Sequence, residues 1–458
     1  MLFYSICLYV LAYHTHRSNF GQLIVLNSGL FFCYFTTSHY LLIPNKINAI
    51  SWQSIFWGGV LLRLLIIPAN PALSDDYYRF IWDGLLTLSN ESPLAHTPQT
   101  WVNIIWPQQG VIIPTAWPPD LFDKLNSPNY FTIYPPVCQL LFLPAAFLVK
   151  QTGSIYIGCI ALKVSIFVFE VATLYLMPKL LQRLQLPAQN MIWYALNPLV
   201  IIELVGNIHF EAVMILGIVG ILYFLTAINP KQLFGRQVMA VSGFFALAIG
   251  AKLLPLVLAP ALLKRLGIKT TIILVGLSLV LVGLAMLLFA PLPLWKNLLQ
   301  SANLYYQKFE FNASIYYLLR QIGFWWYGYN TIAFLGKALA VLAIAGIFFI
   351  CWLEKKLSWR HLSGVWLAIL AWYHFLQPVV HPWYITPMVA LSACTFSGGG
   401  IRWPLIWSAT AMLSYYAYSQ NGVVENMGII ALEYGLVFAA FCFDLWQSRQ
   451  NNKGRVSF

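Results

Sequence analysis

NTIAFLGKALAVLAIAGIFFICW, residues 330–352, is an apolar run broken by one charge, Lys337. About 20 such residues in a helix cross the hydrocarbon of a bilayer, so the stretch is read as a transmembrane helix. The same reading extends outward over most of the chain. Candidate spans lie at 2–14, 20–43, 51–68, 154–177, 188–205, 208–228, 270–290, 330–352, 361–378, 381–397, 403–419 and 426–446. Hydrophobic residues make up 60% of the chain and charged residues 9%, against about 25% charged in a soluble domain. Too few charges are present to clothe a water-facing surface of this size. The expected fold class is an all-α polytopic membrane protein, a single integral membrane domain over 1–458.

Charge places the spans. The formal net charge is +12, but the basic residues are scattered in short connections between apolar runs. That pattern fits a bilayer and gives no nucleic-acid surface. With the N-terminus in the cytoplasm as the start of a first span, 134–149 is expected to dip in and return. Residues 238–263 are expected to form a hairpin bent at Gly250–Lys252. More than half of the 26 basic residues then fall inside, among them Lys46, Arg183, Lys231, Lys264, Arg265, Arg360, Arg402 and Arg455. About 12–14 crossings result, with both termini inside and the two longest loops, 70–133 and 291–329, outside. The seven cysteines stand singly and read as small buried hydrophobes.

Polar clusters collect on the outer side. Of the 14 acidic residues, three lie between positions 75 and 83, in DDYYRFIWDG. Asp76, Arg79 and Asp83 share one helical face, which suggests an amphipathic helix on the outer surface with an acidic edge toward water or a cavity. Ser74 suits an N-cap, and acids in a first turn complement the helix dipole. Adjacent carboxylates also suit a base that deprotonates a hydroxyl, or a divalent-metal site. Tyr134, beside Pro135 and Pro136, is placed on a cavity wall. His209 and Glu211 lie between two spans and can share a tight turn. Lys252, in GAKLLP, must snorkel, pair or meet an anion. Arg320 carries a fork suited to phosphate, and His381 lies at an outer turn. Asn312 opens a formal Asn-Ala-Ser sequon. Arg63, Lys163 and Lys337 read as snorkelling or paired cations.

In order, DDYYRFIWDG (75–84), TIYPPVCQLLF (132–142), NPLVIIELVGNIHFEAV (197–213), AKLLPLVLAP (251–260), FEFNASIYYLLR (309–320) and HPWY (381–384) resemble the bacterial GT-C fold mannosyltransferases that use polyprenyl-phosphate sugars. The resemblance spans about residues 50–390. It implies inverting transfer from a polyprenyl-phosphate donor at the outer face of the cell (inner) membrane, to a glycan or glycolipid acceptor. It implies a base at Asp75 or Asp76. Lys252, Arg79, Arg320 and His381 are then expected to hold the donor phosphate, and Asp83, Tyr134, His209 and Glu211 to line the cavity. A cofactor is not required, although Mg or Mn could sit on Asp75 and Asp76. The chain departs from the pattern in two ways. Three crossings precede the catalytic loop instead of one, and Phe210 stands where a small or polar residue is common. The alternative is a polytopic lipid or glycolipid flippase, which predicts internal repeats and midplane polar groups.

Overall fold

The computed structural model describes residues 1–42, 50–110, 114, 117–228, 235–395, 402–419 and 422–453. Lys46, Lys231 and Arg455 lie outside them. Every regular element among the described residues is helical, apart from one bridge between Phe311 and Val379. By length and composition five helices can cross a membrane: Phe20–Leu41, Ile155–Arg183, Leu254–Leu287, Ile332–Leu353 and Met427–Gln450. The pair Pro198–Gly206 and Glu211–Leu225, bent by 120°, makes a sixth when counted as one broken span, and is otherwise a re-entrant loop. Shorter apolar helices, Leu2–His14, Trp52–Ile66, Pro136–Thr152 and Arg236–Ala251, pack among them. Large side chains such as Phe334, Phe348 and Trp352 are exposed, as a lipid-facing surface requires.

The chain runs back and forth between two ends. One end gathers the turn after Leu2–His14, the segment before Asp76, the break before Glu211, and the segments around 252, 311, 381 and 418. The opposite end carries basic residues that charge bias places inside. There Arg265 pairs with Glu354, Lys264 Nζ donates to Trp352 O at 2.8 Å, and Arg183 donates to Tyr223 O at 2.8 Å. The backbone N–H of Arg402 donates to Asp444 at 2.6 Å.

Two local expectations change. Residues 134–149 do not turn back on themselves. Pro136 occupies the first turn of one continuous helix, Pro136–Thr152, which stops at Gly153 in the left-handed conformation (φ 69°). The next helix, Ile155–Arg183, capped by Ser154, then runs away from the cavity end, antiparallel to Trp52–Ile66: Tyr156 Oη donates to Pro68 O at 2.8 Å near its start, and Glu170 pairs with Arg63 farther along. The acidic helix, Asp76–Leu88, is not a surface helix either. Tyr77, Arg79 through Leu86 are all buried. It lies along Pro136–Thr152 so closely that a Cβ on Gly84 would come within 2.7 Å of Ala146 Cβ and 2.9 Å of Phe142 O. The hairpin expected around Gly250–Lys252 does break there. Lys252 is extended (φ −159°, ψ 136°) between Arg236–Ala251 and the tight 3₁₀ turns of Leu254–Leu262.

The apolar interior holds a polar core. Arg63 and Glu170 have no exposed surface and pair at 2.8 Å. Arg63 Nη1 also donates to Gly59 O (3.0 Å) and Ala195 O (2.8 Å), and Tyr194 donates to Glu170. Removing one partner of a buried pair leaves an unanswered charge. Glu170→Leu should therefore cost about 3–5 kcal/mol, read as a lowered midpoint of thermal unfolding in detergent. Arg63→Met/Glu170→Leu should recover most of that loss.

Candidate active site

The gathered end encloses a cavity of about 1210 Å³. That exceeds the roughly 300–1,000 Å³ of an ordinary small-molecule pocket. Its lining divides by chemistry. The mouth is polar, with Arg17, Asp75, Asp76, Asn126, His209, Glu211 and Lys252. An apolar arm runs along one face of Ile332–Leu353, past Gly336, Ala340, Ala343 and Ile347, opposite Leu254 and Val257. The eleven helical rises from Gly336 to Ile347 make this arm roughly 16 Å deep. Leu253 and Ile344 line it and are exposed, and Ile344 shares its helical face with Val341 and Phe348, which are exposed but not on the cavity wall, so the arm opens sideways toward lipid.

Both aspartates face the mouth. Asp75 precedes the helix and pairs with Arg17, which lies over the Tyr418 ring. Asp76 is the first helical residue, and its carboxylate accepts from Asn126 Nδ2 at 2.8 Å. Ser74 Oγ accepts the Asp76 N–H at 3.3 Å, so it serves the helix start from one position before the cap. Among the described residues no three His, Cys, Asp or Glu side chains converge as a metal site. The aspartate pair offers two carboxylates, one already facing a guanidinium.

Lys252 sits where the helix breaks. Its ammonium pairs with Glu211 and lies 3.6 Å from the Tyr384 ring centroid. His209 and His381 belong to one stack of rings on the cavity wall. Phe311 covers His381 at 4.7 Å, His381 covers Trp383 at 4.4 Å, and Trp383 covers His209 at 3.8 Å. Tyr134 meets Phe80 edge-on at 4.8 Å on the same wall.

The remaining candidates are engaged elsewhere. Arg79 touches the cavity, but its Nε donates to Asp83 at 2.8 Å and its Nη1 to Tyr130 O at 3.0 Å. Asp83 is wholly buried behind it, accepts from Gln139 at 3.2 Å, and is not on the wall. Arg320 is also off the wall, held by Glu310 and stacked over Tyr317. Asn312 is buried and bonded to Glu433 at 3.2 Å, so the sequon is a packing node. Beside it, burial raises the Glu425 carboxyl above the usual carboxylate range. Lys337 lies on the cavity wall.

Sequence reasoning did not assign Arg17, Asn126 or Glu203 to the site. Glu203 had a usable signal, the same as Lys252: a lone charge in an apolar run. Arg17 had none, because it sits in a short turn far from the aspartates in sequence.

An all-helical membrane protein with paired carboxylates at the polar mouth of a laterally open cavity has the form of a membrane glycosyltransferase. Residues 29–267, a little over half of the chain, match the family model described as alpha-(1->6)-mannopyranosyltransferase, N-terminal domain. The chain belongs to that family and is a mannosyltransferase of GT-C type. No curated protein and no solved structure matches it.

If the cavity wall marks the site, Lys252→Gln should lower mannosyl transfer by about 10²-fold or more, the scale of losing one donor to developing charge. Arg320→Gln should stay within about threefold, since a part-exposed pair is worth about 0–1 kcal/mol. Initial rates of both purified variants check this.

Proposed function

We propose that the enzyme transfers mannose from a polyprenyl-phosphate donor to an acceptor hydroxyl on the outer face of the membrane, with inversion. The amphiphilic cavity carries this reading. A polyprenyl chain is apolar and its sugar phosphate is polar, and the cavity grades from a lipid-open arm to a mouth of charged groups. A nucleotide sugar would have no use for the arm.

The chemistry follows from the wall. Asp75 or Asp76 accepts the proton of the acceptor hydroxyl. The oxygen attacks the anomeric carbon, and the bond to the phosphate breaks on the opposite side. Lys252, with His381 nearby, faces the charge that grows on the leaving phosphate. Arg17 beside Asp75 leaves Asp76, held only by a neutral amide, as the better placed base. The family's description indicates an α1→6 product. An α product made by inversion requires a donor of β configuration. The acceptor is a glycan or glycolipid whose hydroxyl reaches the polar mouth.

Charge bias supports the side of the membrane. The basic connections lie at the end away from the cavity, which the positive-inside rule assigns to the cytoplasm. The cavity mouth then faces outward, in the cell membrane.

The test is transfer from radiolabelled polyprenyl-phosphate mannose by enzyme in nanodiscs. Asp76→Asn should lose about 10²–10⁴-fold in rate, Asp75→Asn less, and EDTA should change little. Equal activity of wild type and both variants would remove the aspartates from the chemistry. Lipid movement in liposomes without turnover would favour a flippase.

A further inference from the structure

A buried acid beside the cavity has no part in the reaction drawn above. Glu203 has no exposed surface and lies in the π-helical turn Ile201–Gly206. Tyr415 Oη donates to its Oε1 at 2.9 Å, and Asn207 Nδ2 to its Oε2 at 3.3 Å. His209 Nδ1 lies 3.2 Å from Oε2 and 2.8 Å from the main-chain oxygen of the same residue. A main-chain carbonyl only accepts, so Nδ1 carries a proton. A buried carboxylate needs a countercharge, and among the described residues the imidazole is the basic group in contact with it.

The other edge of the ring is unanswered. His209 is 3% exposed, and its Nε2 has no hydrogen-bond partner among the described residues. Buried polar groups in folded chains are nearly always paired. The ring stands on the cavity wall, with Trp383 flat against its face (14° between planes). The backbone is committed to this placement. Ile208, a β-branched residue, takes a left-handed φ of 63° immediately before His209, a conformation that persists only where surroundings impose it.

We infer that Glu203 and His209 form a built donor for a phosphate oxygen, with Glu203 and Tyr415 as positioning residues acting through the imidazole. This rests on the polyprenyl-phosphate reading. As the sugar–oxygen bond breaks, its electron pair stays on the phosphate oxygen. Nε2–H donates a hydrogen bond to that oxygen, and the proton remains on nitrogen. The phosphate could belong to the lipid or be free inorganic phosphate, and the two are separable.

Equilibrium binding to the full chain in nanodiscs tests this without turnover, using polyprenyl phosphate, polyprenol and inorganic phosphate as probes. His209→Gln should weaken polyprenyl phosphate by about 10- to 100-fold, the range for a hydrogen bond to a charged group, and leave polyprenol unchanged. Glu203→Gln should weaken it in the same direction, and Glu203→Gln/His209→Gln no more than His209→Gln alone. Additive losses would make Glu203 merely structural and overturn its role. Tyr415→Phe, which keeps the packed ring, should give a smaller loss of the same kind. Wild type that binds polyprenyl phosphate, with His209→Gln binding it equally well, would overturn the site while the donor reading stands. Wild type that binds polyprenol as tightly as polyprenyl phosphate, and no inorganic phosphate, would overturn both. Inorganic phosphate bound alone and lost in His209→Gln would support the anion site and name the free ion as its ligand.

Discussion

Inside an apolar solvent every buried charge must be answered by the chain itself, and in this protein one answer sets the geometry of the rest. Arg63 reaches Glu170 and two carbonyls at once, joining Trp52–Ile66, Ile155–Arg183 and the segment around Ala195. Nearer the cavity, Lys163 Nζ donates to Ile66 O at 3.1 Å and to Ala69 O. Those carbonyls end the helix that leads into Asp75. The two cations therefore fix where the chain leaves the bundle and enters the mouth. Asn207, whose Oδ1 accepts the Leu73 N–H at 3.2 Å, pins the same segment from the far wall.

What could be read beforehand followed a single physical rule: a charge amid apolar residues is costly, so its presence is informative. That rule picked out Lys252, Glu211 and His209, and all three line one cavity. It separated candidates poorly when a carboxylate was close at hand. Arg79 has Asp83 one turn away, and Arg320 has Glu310 across a short loop; spacing alone does not say whether a cation serves its neighbour or a ligand. The amphipathic pattern of Asp76–Leu88 was real, but its polar face is closed by Gln139 and the 127–130 carbonyls instead of water. Hydropathy located the five long helices but not the count: about 12–14 crossings were expected, and among the described residues five helices, or six with the bent pair, are long and apolar enough to cross. The partners across the bundle, such as Arg17 with Asp75, were not, because nothing in a linear sequence states which distant turns share an end.

The match to the family ends at residue 267, yet the cavity does not. Its apolar arm and its ring stack are built largely by residues 336–347 and 373–384, and Tyr415 and Tyr418 close the mouth. Arg17 comes from before the match. The aspartates and Lys252 belong to the matched part. On the proposed reading the base and Lys252 thus fall within the matched part, while Arg17, His381 and most of the apolar arm fall outside it.

The sideways opening at Leu253 and Ile344 has a consequence for how concentration is counted. A substrate that enters there never leaves the two-dimensional phase in which the enzyme floats. Its supply is a surface density, moles per area of bilayer, and the volume of the surrounding water drops out. Added inert lipid then dilutes it as water would dilute a soluble metabolite, while an acceptor arriving at the polar mouth is untouched by that dilution. On the proposed reading, with a lipid-borne donor and a water-borne glycan acceptor, one cavity thereby meets its two substrates in two different units.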